Sequence, residues 1–137
     1  MYEVVTAQDA VVEEYDALIT AKPGVAIGLS TADCLPILVE HTAGTCIAVI
    51  HAGWRGLQAD VIASAVSALG EKYDVKASDL VAVIGPAIHA KNYEVGDEVA
   101  QQFDPRFTSQ IDGKQCLDLI AIAASQLEAI GVREVDR

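Results

Sequence analysis

The sequence is short of positive charge. It has 9 Lys and Arg against 20 Asp and Glu, a net charge of −11, and its basic residues cluster nowhere. Such a surface repels phosphate backbones and anionic lipid, which argues against nucleic-acid binding and membrane docking. An anionic substrate would need a local device to overcome that field. Long apolar runs are also missing. The longest, around 46–50 and 80–84, fall far short of the about 20 residues that a spanning helix needs. The N-terminus has neither a basic start nor a small-residue cleavage site, so no secretory leader is expected. Cysteines are few, odd in number and widely spaced (Cys34, Cys46, Cys116), which fits a reduced, cytoplasmic protein rather than a disulfide framework.

What is present suffices for a core. With 137 residues, 52 % of them apolar, the chain reads as one globular domain over 1–137, and disorder is excluded. It has no repeat, linker or low-complexity segment. Strands are expected at Asp16–Thr20, Val25–Thr31, Leu35–Glu40, Thr45–His51 and Val81–Ile84. A helix is expected from Leu57 to Leu69, ended by Gly70, and a second over Gly96–Phe103, broken by Asp104-Pro105. A third, with Leu117, Ile120, Ala124, Leu127 and Ile130 on one face, is ended by Gly131. Strands in hairpin-like succession mixed with helices point to an α+β (mixed α/β) domain with a mixed sheet flanked by helices, not to a doubly wound fold.

Three segments hold residues that a core does not require. Thr31-Ala32-Asp33-Cys34-Leu35-Pro36 puts a carboxylate and a thiol at a break between strands. Taken alone, Asp33 could simply cap backbone N–H groups there and Cys34 be a small buried hydrophobe. His51-Ala52-Gly53-Trp54-Arg55-Gly56 is a strand end, a glycine-rich turn and a helix start. Its Gly53 and Gly56 backbone and the Arg55 guanidinium suit an anion; a tight turn with a packed Trp54 and a solvated Arg55 is the competing reading. Gly85-Pro86-Ala87-Ile88-His89 ends another strand. Pairing Leu35–Glu40 antiparallel with Thr45–His51 would bring Cys34 and His51 to the same end of the pair. They could then share a metal ion, or act as nucleophile and base, although their spacing matches no zinc-finger pattern. His41 is expected to be solvent-exposed, Cys46 to be core, Cys116 to have no partner and His89 to lie in a surface loop.

Together, Asp16-Ala17-Leu18-Ile19-Thr20, Ala32-Asp33-Cys34-Leu35-Pro36, His51-Ala52-Gly53-Trp54-Arg55-Gly56, Ile84-Gly85-Pro86-Ala87-Ile88 and Tyr93-Glu94-Val95-Gly96 occur in an order that closely resembles the laccase-domain family. This family is also called the polyphenol-oxidase or YfiH family. The resemblance implies a purine nucleoside phosphorylase with adenosine deaminase activity, acting on small-molecule nucleosides and phosphate. It also implies a zinc site of two histidines and one cysteine, whose cysteine and one of whose histidines match Cys34 and His51. The other histidine belongs to a Gln-Val-His motif upstream, which this sequence does not contain, and the pattern is shortened at both ends. A fragment or a shortened homologue is therefore the expectation. In this scheme zinc activates water for attack at C6 of adenosine; separately, from the local sequence, Asp33 is expected to orient a ligand or a backbone turn, and Arg55 with Gly53 and Gly56 to position phosphate. The alternatives are copper-dependent oxidation of phenols, for which no His-x-His pattern is present, a Cys34–His51 thiol hydrolase, and an inactive partner-binding homologue.

Overall fold

The computed structural model describes residues 15–137 and the backbone of the strand Val4–Thr6. Its main sheet is built from β1 (Val4–Thr6), β2 (Ala17–Thr20), β3 (Leu35–His41), β4 (Ile47–Ala52), β5 (Leu80–Ile84) and β8 (Glu134–Asp136), in the order β1-β2-β4-β3-β5-β8. The two edge strands run parallel to their neighbours, and the inner pairings are antiparallel. A separate hairpin joins β6 (Thr108–Ile111) to β7 (Lys114–Leu117). Helices α1 (Trp54–Gln58), α2 (Val61–Tyr73), α3 (Asp97–Ala100) and α4 (Leu119–Ala129) complete the regular structure, with short 3-10 turns between elements. This is the mixed-sheet α+β architecture expected from the pattern.

Strand periodicity decides where the core lies. Alternate side chains point to opposite faces. Leu35, Ile37 and Val39 of β3, Ala48, Ile50 and Ala52 of β4, and Leu80, Ala82 and Ile84 of β5 are all buried. They meet Ile62, Ala65 and Leu69 of α2 and Ile122 and Leu127 of α4 in one cluster. The opposite face carries Leu38 and Val83, a cross-strand pair that are 53 % and 43 % exposed. His51 belongs to this second face, because it alternates with Ile50 and Ala52. The helices thus cover one face, and His51 stands on the other.

Several expected boundaries shift. Val25–Thr31 forms no strand. Its apolar, β-branched character suits a ladder, yet β2 is already flanked by β1 and β4, and β3 by β4 and β5, so neither neighbour in sequence has a free edge. The expected Leu57–Leu69 helix is two helices, broken where Asp60 takes a left-handed conformation (φ 58°). Gly70 lies inside α2. The helix runs to Tyr73 and closes with the Asp74 N–H donating to the Gly70 carbonyl. The helix expected over Gly96–Phe103 has α-geometry only over Asp97–Ala100. The β6–β7 hairpin turns on Asp112-Gly113, both at positive φ, a two-residue turn whose twist matches the flanking strands.

One close approach ties the exit of β5 to the start of β3. The Gly85 N–H donates to the Pro36 carbonyl at 2.8 Å, and a Cβ at position 85 would sit 2.9 Å from Pro36 Cγ. Gly85→Ala is expected to destabilise the fold by about 1–3 kcal/mol through overpacking. Urea denaturation measures this, and an unchanged midpoint would show that the contact relaxes freely.

Candidate functional site

The strand register brings the motifs together. β3 and β4 pair with Leu35 opposite Ala52 and Pro36 opposite His51, so Cys34, one residue before β3, falls opposite Gly53. β2 pairs with β4 so that Ala17 faces Ile50, which places Asp16 beside His51. β5 ends at the same edge, and its exit loop is held there by the Ile88 N–H, which donates to the Asp33 carbonyl at 3.0 Å. Asp16, Cys34, His51, Gly53, Trp54, Arg55 and Gly56 line one cavity of about 250 Å³. The convergence of Cys34 and His51 that hairpin pairing predicts is present in the fold.

His51 is held twice by one residue. Its N–H donates to the Asp16 carbonyl at 2.7 Å, and its Nδ1 lies 2.7 Å from Asp16 Oδ1. Nε2 is the ring's other nitrogen and does not take part in this contact. Glycine at 53 makes room for the thiol, since an added Cβ would lie 3.0 Å from Cys34 Sγ. Arg55 is solvent-exposed, and its guanidinium stacks over the Trp54 ring at 4.3 Å from the centroid. The α1 helix has only five residues, so its dipole is short and Arg55 is the dominant local cation for an anion at this turn.

Burial pushes the Cys34 thiol above its ordinary pKa, and the negative charges of Asp33 and Asp16 push it further. A nucleophilic cysteine needs the opposite shift, so the environment opposes a thiol hydrolase acting on its own. The sign gives a test: the thiolate forms at higher pH than in a free cysteine. The pH midpoint of Cys34 alkylation is therefore expected above the about 8.5 of an unperturbed thiol. Cys46 and Cys116 are buried and should react only on unfolding. A midpoint below that of free cysteine would contradict the assignment. Tyr93 is half-buried and its phenol is also shifted up, by burial first and then by charge on Cys34, against the lowering effect of Arg55.

The other expected positions separate from the cavity. Asp33 is exposed and serves the backbone turn through its carbonyl. His41 stands at the far end of β3. It is half-buried rather than exposed, with its Nδ1 2.9 Å from the Thr45 hydroxyl. His89 is exposed beside Lys91 and Arg137 in a different, open cavity. Cys46 is core, and Cys116 is buried in β7. Nothing in its motif marks Asp16 as a site residue, because its partner lies 35 positions away and only the β2–β4 register reveals it. Among the described residues no group of three or more His, Cys, Asp or Glu is gathered to hold a metal ion, so the cavity itself supplies two donors, a thiol and an imidazole.

The family model for multi-copper polyphenol oxidoreductase laccase matches residues 1–137. The chain belongs to that family. It is 38 % identical over 125 residues to a purine nucleoside phosphorylase of Bacteroides thetaiotaomicron, covering 85 % of this chain and 46 % of the relative. It is 39 % identical over 140 residues to a purine nucleoside phosphorylase of Pseudomonas aeruginosa, covering 96 % of this chain and 56 % of the relative. The crystal structure of a Neisseria meningitidis protein superposes with a TM-score of 0.87 at 36 % identity, over 98 % of this chain and 57 % of that one. YlmD from Geobacillus stearothermophilus gives 0.84 at 25 % identity, with 98 % and 58 % covered. The chain thus spans about half the length of the relatives it matches. Among the described residues no helix is long and apolar enough to cross a membrane.

Proposed function

We propose that this member of the laccase family catalyses the phosphorolysis of purine nucleosides, with deamination of adenosine as a second activity. The single observation that carries the reading is the meeting of Cys34, His51, its Asp16 partner and Arg55 in one cavity. The names of two relatives at 38–39 % identity support the substrate class. In phosphorolysis, a phosphate oxygen bonds to C1′ of the ribose as the C1′–N9 bond breaks. The purine leaves with the bonding electron pair and takes up a proton, and ribose 1-phosphate remains. In deamination, water adds at C6 and ammonia departs.

The residues divide this work by their chemistry. A chain with a net charge of −11 repels free phosphate, so capture needs a local cation. Arg55 offers a planar fork of donors that matches a phosphate edge. Its stack on Trp54 holds the fork at the cavity wall. Gly53 and Gly56 keep the turn free of side chains that would fill the same space.

Zinc fits the donor set. A thiol and an imidazole whose other nitrogen engages a carboxylate match the ligand chemistry of catalytic zinc sites. Cys34 and His51 would hold the ion, which supplies Lewis acidity when bound. Catalytic zinc sites use three protein ligands, of which Cys34 and His51 would supply two. Copper suits the same atoms.

Product analysis tests the proposal. The metal-loaded chain is incubated with inosine, guanosine or adenosine, with and without phosphate. Release of free base together with ribose 1-phosphate, dependent on phosphate, is the expected result. Loss of phosphate dependence or absence of base release would overturn it, and oxidation of a phenol without purine turnover would select the copper chemistry.

A further inference from the structure

The carboxylate that faces His51 stands one residue before β2, apart from the elements that carry Cys34 and His51, and it engages the ring at Nδ1, away from Nε2. We propose that Asp16 is a positioning residue: it fixes His51 as the tautomer protonated on Nδ1, so that the Nε2 lone pair is available to a metal ion. This rests on the reading of Cys34 and His51 as metal donors. The geometry carries it in three steps. First, Nδ1 and Oδ1 are 2.7 Å apart, and an ionised carboxylate only accepts, so the shared proton belongs to the imidazole nitrogen. Second, a neutral imidazole carries a single ring proton, so a proton on Nδ1 leaves Nε2 bare. Third, the backbone contact from the His51 N–H to the Asp16 carbonyl is separate from the side-chain contact. The residue that sets the strand register therefore also sets the ring, and the two roles can be pulled apart by changing the side chain alone. Asp33, another acidic residue of the motifs, accepts from the Ile88 N–H through its backbone carbonyl.

An imidazole released from such a partner reverts toward the Nε2–H form preferred in water, and it must shed or shuttle that proton before Nε2 can bind a cation. Removing an outer carboxylate of this kind typically weakens metal binding by about 10–100-fold.

The test uses two readouts, one of which needs neither metal nor substrate. In metal-free, ¹⁵N-histidine-labelled protein at mildly alkaline pH, two-bond ¹H–¹⁵N correlations report which ring nitrogen of His51 is protonated. The native chain should show Nδ1–H, and Asp16→Ala should show predominantly Nε2–H. In competition with a chelator, Asp16→Ala should bind zinc about 10–100-fold more weakly than the native chain. Should the alanine variant not fold, Asp16→Leu keeps the size of the side chain without any hydrogen-bonding group, and the same tautomer shift is expected. An unchanged tautomer in the variant, or an unchanged zinc affinity, would overturn the proposal. If the tautomer shifts as expected but the native chain binds no zinc, the metal reading fails and Asp16's role toward the ion falls with it. That outcome is separate from a failure of the tautomer assignment itself.

Discussion

His51→Ala and Cys34→Ser are each expected to lower zinc affinity by on the order of 100-fold or more, with the fold retained. The lower bound follows because outer partners alone are worth about 10–100-fold, and each of these changes removes a donor atom outright. Retention of the fold follows from the sheet. His51 stands on the face opposite the buried Ile50 and Ala52, and both Cys34 and His51 are only partly buried. Far-UV circular dichroism and urea midpoints check the fold, and chelator competition reads the affinity. Phosphorolysis and deamination should fall with the metal in both variants. Equal affinity in variant and native protein would place the metal elsewhere and leave the cavity without its proposed use.

Arg55→Ala is expected to lower phosphate-dependent kcat/KM by about 10- to 150-fold. That range corresponds to the about 1.5–3 kcal/mol of a hydrogen bond to a charged group. Adenosine deamination needs no phosphate and should change far less. Arg55→Lys should recover only part of the loss, because an ammonium has neither the planar fork nor the same stack on Trp54. Steady-state kinetics at varied phosphate, beside a deaminase assay on the same preparations, gives the ratio. Equal losses in the two activities would mean that Arg55 supports the cavity generally instead of binding phosphate.

Much of this arrangement is legible in the chain. β3 and β4 are apolar strands joined by a short connection containing Ala43-Gly44, so antiparallel pairing is the economical reading, and it carries Cys34 and His51 to one end. The His51–Asp16 contact is not legible in the same way. It depends on β2 pairing with β4 in a register that no local signal fixes, across 35 residues. Val25–Thr31 shows the converse: strand-like composition without a free edge to join gives no ladder. The β6–β7 hairpin escapes notice because its strands are polar, with Ser109, Gln110, Lys114 and Gln115 all in the ladder. Its signal lies in the turn, where Asp112-Gly113 takes the two positive-φ positions. Asp60 breaks a helix that its hydrophobic spacing would continue, since aspartate tolerates the left-handed conformation better than most residues.

On the proposed reading, Cys34 and His51 would hold one metal ion between them. Cobalt(II) titration of the native chain and of Cys34→Ser tests it most directly, because a cobalt–thiolate bond produces a near-ultraviolet charge-transfer band. The band should grow in the native protein to one equivalent and be absent from Cys34→Ser, and Asp16→Ala should retain it at weaker affinity. Cobalt bound by the native chain without the band, or a band unchanged in Cys34→Ser, would contradict it.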